Sequence, residues 1–148
     1  MNKKGVTLIE LIVVMVIIGI GAVLLAPNIG TWLPNYRLRS ATRDIVSTMR
    51  TAQMKAVSTN MAYRVSFTQA PPSYTLQYEN PPGTWVTEGA TQTLPTGISI
   101  PSINLTTGNN AVFNTNSTSS SGSLTLQNTR GAQRQLRLTS ATGRVTIP

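Results

Sequence analysis

The sequence predicts an α+β fold: a long, apolar N-terminal helix packed on a C-terminal domain of antiparallel β-sheet. Three observations predict it. Residues 6–26 are almost wholly apolar. Apolar residues then recur at steps of three and four from Leu38 to Ala56, the period of an amphipathic helix. From Tyr63 onward the period drops to two, between turns rich in Gly, Pro and Asn. The chain's 148 residues make about one domain. Its near-zero mean hydropathy averages two unlike parts.

The N-terminal element opens on Lys3-Lys4, a short positive segment that the positive-inside rule keeps in the cytoplasm. Residues 6–26 then match the ~20 apolar residues that a helix needs to cross a bilayer core. Glu10 lies inside that run, where a carboxylate costs about 2.5–3.5 kcal/mol and usually marks function. Three readings compete. A cleaved secretory signal has a shorter apolar core and an A-x-A site, which is lacking here. A plain single-pass anchor leaves Glu10 unexplained. An anchor whose Glu10 meets a cation explains it. Further along, Gly19 and Gly21 weaken the helix, and Pro27 and Pro34 each remove a backbone donor, kinking or ending it. A plain loop after the membrane exit fits the same residues.

After Pro34 the stripe Leu38, Ala41, Ile45, Met49, Ala52 and Ala56 predicts a helix lying against a sheet, with Arg39, Arg43, Arg50 and Lys55 off the stripe. Tyr63, Val65 and Phe67 alternate with polar residues, as do Tyr74, Leu76 and Tyr78. Ala70-Pro71-Pro72-Ser73 between them reads as a hairpin connection. Short strands follow at Trp85-Val86, 98–100, 111–113, 124–126, 136–138 and 145–147. Arg130-Gly131 forms the tip of a hairpin, and residues 115–121 a mobile polar loop.

Composition leaves little for catalysis. The chain has no His and no Cys, so it lacks the commonest general base near neutral pH, a disulfide framework and a thiolate metal site. Its acids are Glu10, Asp44, Glu79 and Glu88; a paired-carboxylate site would require Glu79 with Glu88. The Ser and Thr residues have no base to activate them. The formal charge is +8, from 12 Lys plus Arg against 4 Asp plus Glu. That sign favours nucleic acid or anionic membrane, or simply keeps a surface subunit soluble.

Gly5-Val6-Thr7-Leu8-Ile9-Glu10-Leu11, behind a basic leader and ahead of a long apolar run, closely resembles the prepilin cleavage and methylation signature of the type IV pilin and pseudopilin superfamily. The resemblance implies a prepilin peptidase that cuts between Gly5 and Val6, with the new Val6 amine methylated. Val6 stands where the family more often has Phe. Glu10 would be the assembly residue, paired with the mature amine of a neighbouring subunit. The stretch from Gly19 to Pro27 is the counterpart of a segment that bends or melts when subunits pack. The implied organisation is a leader at 1–5, a transmembrane and filament-core segment at 6–33, and a periplasmic α+β pilin-like domain at 34–148.

The rest resembles the GspH/FimT-like minor pilins. The matching features are Arg50-Thr51-Ala52-Gln53 ahead of Tyr63, then Trp85, Leu94-Pro95-Thr96-Gly97-Ile98, Ser121-Gly122-Ser123-Leu124-Thr125-Leu126 and Gly143-Arg144-Val145. This implies a structural subunit with no catalytic residue, metal or cofactor, single-pass in the inner membrane and assembled into a type II secretion pseudopilus or a type IV pilus. In the first setting it would support protein secretion. Its partners would be the peptidase, other pilin or pseudopilin subunits, the inner-membrane assembly platform and membrane lipid. The alternative is DNA uptake. FimT-type pilins bind DNA in natural transformation through a C-terminal Gly-Arg-x-Arg, whereas this chain has Gly143-Arg144-Val145-Thr146 and lacks the second Arg. Arg130, Arg134, Arg137 and Arg144 would then form a basic patch on phosphates. Arg137, between Leu136 and Leu138, equally fits the solvent face of a strand.

Overall fold

The computed structural model describes residues 5–148, apart from the side chains of residues 24–29 and 31. It divides into two units, Met1–Leu33 and Pro34–Pro148. Helix α1, Leu8–Thr59, contributes to both. The helical backbone continues through Pro27 and Pro34, so neither proline ends it. Each only leaves the carbonyl four residues back without its helical donor. Helical periodicity therefore does not resume after a loop; it never stops. The side chain of Pro27, and Lys3 and Lys4, lie outside the described residues. Among the described residues no helix is long and apolar enough to cross a membrane. The span expected at 6–26 ends on side chains outside them.

In the second unit, Leu38, Ala41, Ile45, Met49, Ala52 and Ala56 are all buried, as the stripe predicts. Arg39, Arg43 and Arg50 are exposed. The helix closes on Asn60, which takes the left-handed conformation that asparagine tolerates at a helix end.

Among the described residues, nine antiparallel strands form two sheets. The first holds β1 Tyr63–Gln69, β2 Pro72–Glu79, β3 Trp85–Thr87, β4 Gln92–Thr93 and β6 Asn110–Phe113, in the order β3-β2-β1-β6 with β4 also on β2. The second holds β5 Ile98–Leu105, β7 Gly122–Asn128, β8 Gln133–Thr139 and β9 Arg144–Thr146, in the order β5-β7-β8-β9. The β1–β2 hairpin turns at Ala70-Pro71, and its register sets Tyr63 opposite Tyr78 and Phe67 opposite Tyr74. Their rings lie 5.9 and 6.4 Å apart, within the range of favourable aromatic pairs. Val65, Phe67, Ala111 and Phe113 from the first sheet join Ile100, Leu124, Leu126, Leu136 and Leu138 from the second in one core with the helix stripe.

Two elements differ from expectation. β5 runs to Leu105, well past Ile100, because a register shift between Ser99 and Ser102 accommodates Pro101, which has no N–H to give a ladder. Residues 115–121, expected to be a mobile loop, are tied into both sheets. The Ser119 N–H donates to the Ser140 carbonyl at 2.9 Å, and Ser120 N–H to the Val112 carbonyl at 2.9 Å. The Ser119 hydroxyl is buried and lies 3.2 Å from the Thr139 carbonyl. Short hydroxyl side chains here satisfy backbone groups, a use that low-complexity composition conceals.

The packing has a pH signature. The Lys55 ammonium donates to Glu88 and is held above its usual value by that bond. Burial pushes the phenols of Tyr63 and Tyr74 upward. All three groups favour their protonated forms in the fold. Their stabilisation is complete below their unfolded values, about pH 10, and is lost as pH rises through the folded values. The melting temperature is therefore expected to fall between roughly pH 9 and pH 11. A Lys55→Met, Tyr74→Phe double variant, followed by circular dichroism, should show a shallower fall.

Candidate functional site: the helix start and the C-terminal arginines

Thr7 precedes the first helical residue, Leu8, and acts as its cap. Glu10 N–H donates to the Thr7 carbonyl at 3.1 Å and lies 3.4 Å from its hydroxyl; Leu11 N–H reaches the same carbonyl at 3.3 Å. Glu10 thus occupies the third helical position, where a carboxylate suits the positive end of the helix dipole. The pattern Thr-x-x-Glu before an apolar run is a capping-box signature, a signal the sequence reading passed over in explaining Glu10. Immediately upstream, Gly5 and Val6 lie outside the helix and are exposed, and no described atom lies within 4 Å of a Cβ built on Gly5.

Beyond this cap the helix is apolar on every side. Leu11, Ile12, Val13, Val14, Met15 and Ile17 are all about half exposed or more, and at 100° per residue they point in all directions around the axis. A helix with no polar face belongs in lipid or among other helices, not in water. Glu10 is the one carboxylate on this surface.

The four arginines of the expected basic patch do not come together. On β8, Arg134 stands opposite Leu126 and shares a face with Leu136 and Leu138, whereas Arg137 points from the other face. Arg130 lies in the four-residue turn whose Asn128 carboxamide oxygen accepts from the N–H groups of Arg130 and Ala132. Only Arg137 and Arg144 share a face, on neighbouring strands. Arg144 lines a groove between α1 and β9 together with a second cation the sequence reading did not foresee, Arg50. Gly143 makes the close approach to α1 possible. Its φ is +60°, and a Cβ there would come within 2.5 Å of Gln53 Nε2 and 2.8 Å of the Ser117 carbonyl. The Gln53 amide in turn donates to the Thr142 carbonyl at 3.0 Å.

The two carboxylates that a paired-carboxylate site would require are committed elsewhere. Glu88 holds Lys55, and Glu79 accepts the Gly83 N–H at 2.6 Å. They line separate pockets.

Comparison with known proteins matches two stretches of the chain. The prokaryotic N-terminal methylation motif matches residues 1–26, and the family of the type II transport protein GspH matches residues 41–143. No curated protein matches the chain in sequence. Among solved structures, the minor pseudopilin EpsH from the type 2 secretion system of Vibrio cholerae superposes with a TM-score of 0.61 at 10% identity, covering 76% of this chain and 96% of EpsH. The type IV minor pilin FimU of Pseudomonas aeruginosa superposes with a TM-score of 0.61 at 14% identity, covering 77% and 90% of the two chains. At these identities the likeness shows the fold.

Proposed function

We propose that this chain, which belongs to the family of the type II transport protein GspH, is a minor pilin or pseudopilin subunit that is cut, methylated and built into a filament. The observation that carries the reading is the helix start: an exposed Gly5-Val6 bond, a Thr7 cap, one carboxylate at Glu10, and an apolar surface on every side thereafter. Cleavage after Gly5 by a prepilin peptidase removes residues 1–5 and leaves the apolar helix as the new N-terminus. Residues 6–33 then anchor the subunit in the inner membrane and later pack against other subunits, with 34–148 on the periplasmic side.

The roles within this scheme follow from the chemistry. A carboxylate buried among apolar helices is costly unless it meets a cation, and a neighbour's Val6 amine supplies one at the same depth. Pro27 and Pro34 weaken the helix ladder where it must adjust on leaving the membrane. The subunit breaks and makes no bonds itself. Its partners are the peptidase, membrane lipid, the assembly platform and other subunits. Supporting protein secretion is the function that fits a GspH-family chain best. DNA capture requires a continuous basic stripe. The fold instead spreads Arg130, Arg134, Arg137 and Arg144 over both faces of a sheet and a hairpin tip.

The mature protein recovered from membranes is expected to begin at methylated Val6. Intact-mass measurement and N-terminal sequencing read this directly. A chain retaining Met1, or starting after Ala26, would overturn the assignment.

A further inference from the structure

Strand β9 ends its sheet. It pairs with β8 on one side, and among the described residues no strand pairs with its other edge. An open edge presents unpaired backbone donors and acceptors, a template for one more strand. Many proteins blunt such an edge with a covering loop or an inward charge. Here a groove of about 600 Å³ lies between β9 and α1. Val46 and Ile147 supply apolar lining, with Ile147 39% exposed. Arg50 on the helix and Arg144 on the strand supply positive charge from the two sides. Neither guanidinium has a carboxylate partner, since the ion pair among the described residues is Lys55 with Glu88.

We propose that this groove takes an extended acidic segment of a partner protein, added as a further strand on β9. The backbone of the segment pairs with the open edge, its acidic side chains on one face meet Arg144, and those on the other face meet Arg50 beside apolar side chains that cover Ile147. This surface lies wholly within the unit Pro34–Pro148 and uses none of the apolar residues 6–33. A nucleic acid fits less well. Phosphates accept hydrogen bonds but donate none to the edge carbonyls, and Arg134 and Arg130 do not extend the charge into a stripe.

The test uses the full chain in non-ionic detergent and fluorescence anisotropy with a labelled peptide of repeating Glu-Glu-Val-Val, which puts Glu on both faces of a strand. Three further probes are the same sequence with N-methylated backbone at alternate residues, a Lys/Val counterpart, and an oligo-dT strand. Binding of the Glu/Val peptide at low salt is expected, weakening as salt rises. Arg50→Glu and Arg144→Glu should each weaken it at least about tenfold, the loss of about 1.4 kcal/mol. Arg130→Glu, an equal change in charge at the hairpin tip, should leave it unchanged. Equal binding of the N-methylated peptide would exclude strand addition, and equal sensitivity to Arg130→Glu would exclude the groove. Tighter binding of oligo-dT, lost in the same two variants, would make the groove a nucleic-acid site. No binding of the Glu/Val peptide at low salt would end the proposal. Should Arg144→Glu lower the melting temperature, Arg50→Glu on the exposed helix face decides alone.

Discussion

Gly122→Ala is expected to lower the melting temperature by roughly 10–20 °C, a loss of about 3–5 kcal/mol. Gly122 opens β7 between Leu105 on β5 and Leu138 on β8. A Cβ there would fall 2.0 Å from the Asn104 carbonyl oxygen and 2.8 Å from Leu105 Cα, both backbone atoms that cannot swing aside. Its φ of +137° adds a conformational cost for any residue with a side chain. Relief requires β5 to move off β7, which opens the core at buried Leu105 and Leu124. Gly83→Ala separates the two effects. Its φ is +86°, yet nothing lies within 4 Å of the added carbon, so it should cost only about 1–2 kcal/mol. Thermal denaturation of both variants by circular dichroism reads the difference. Equal losses would show that close approach of the strands is not what Gly122 serves.

The same glycine shows where the sequence stops being legible. Ser121-Gly122-Ser123 was visible as the approach to a strand, but which glycine touches a neighbouring backbone depends on register, and register is a tertiary property. The helix stripe and the β1–β2 alternation were legible because burial on one face imposes a period, and all six stripe positions are buried. β4 was not, since Gln92 and Thr93 are two exposed polar residues with no period to read. The arginines failed for a related reason. Arg134 and Arg137 differ by three, an odd number, so a strand sends them to opposite faces, and parity alone could have divided the expected patch. The groove lined by Arg50 and Arg144 joins residues far apart in sequence, and no local pattern announces it. At the helix start the Thr7 cap and the carboxylate of Glu10 sit within Thr7 to Leu11, so a local pattern can announce both.

That compactness leaves Glu10 with two explanations, and one pair of variants divides them. As the third helical residue after the Thr7 cap, Glu10 could serve only to start the helix, worth about 0.3–1 kcal/mol. As the lone carboxylate on an apolar surface, it could serve to meet a neighbour's amine in the filament. Glu10→Ala removes both roles; Glu10→Gln keeps a residue that suits the third position of a capping box but removes the charge. Membrane insertion and cleavage should survive in both, since each makes the segment less polar. Incorporation into sheared filaments should fall at least about tenfold in both, because a loss of only about 1.4 kcal/mol in docking suffices for that. Breaking a buried pair costs more, on the order of 3–5 kcal/mol. If Glu10→Gln is incorporated as well as the wild type while Glu10→Ala is not, the residue acts through its cap and the charge pairing is wrong. If both are excluded, with their cleavage intact, the charge is what the filament recognises.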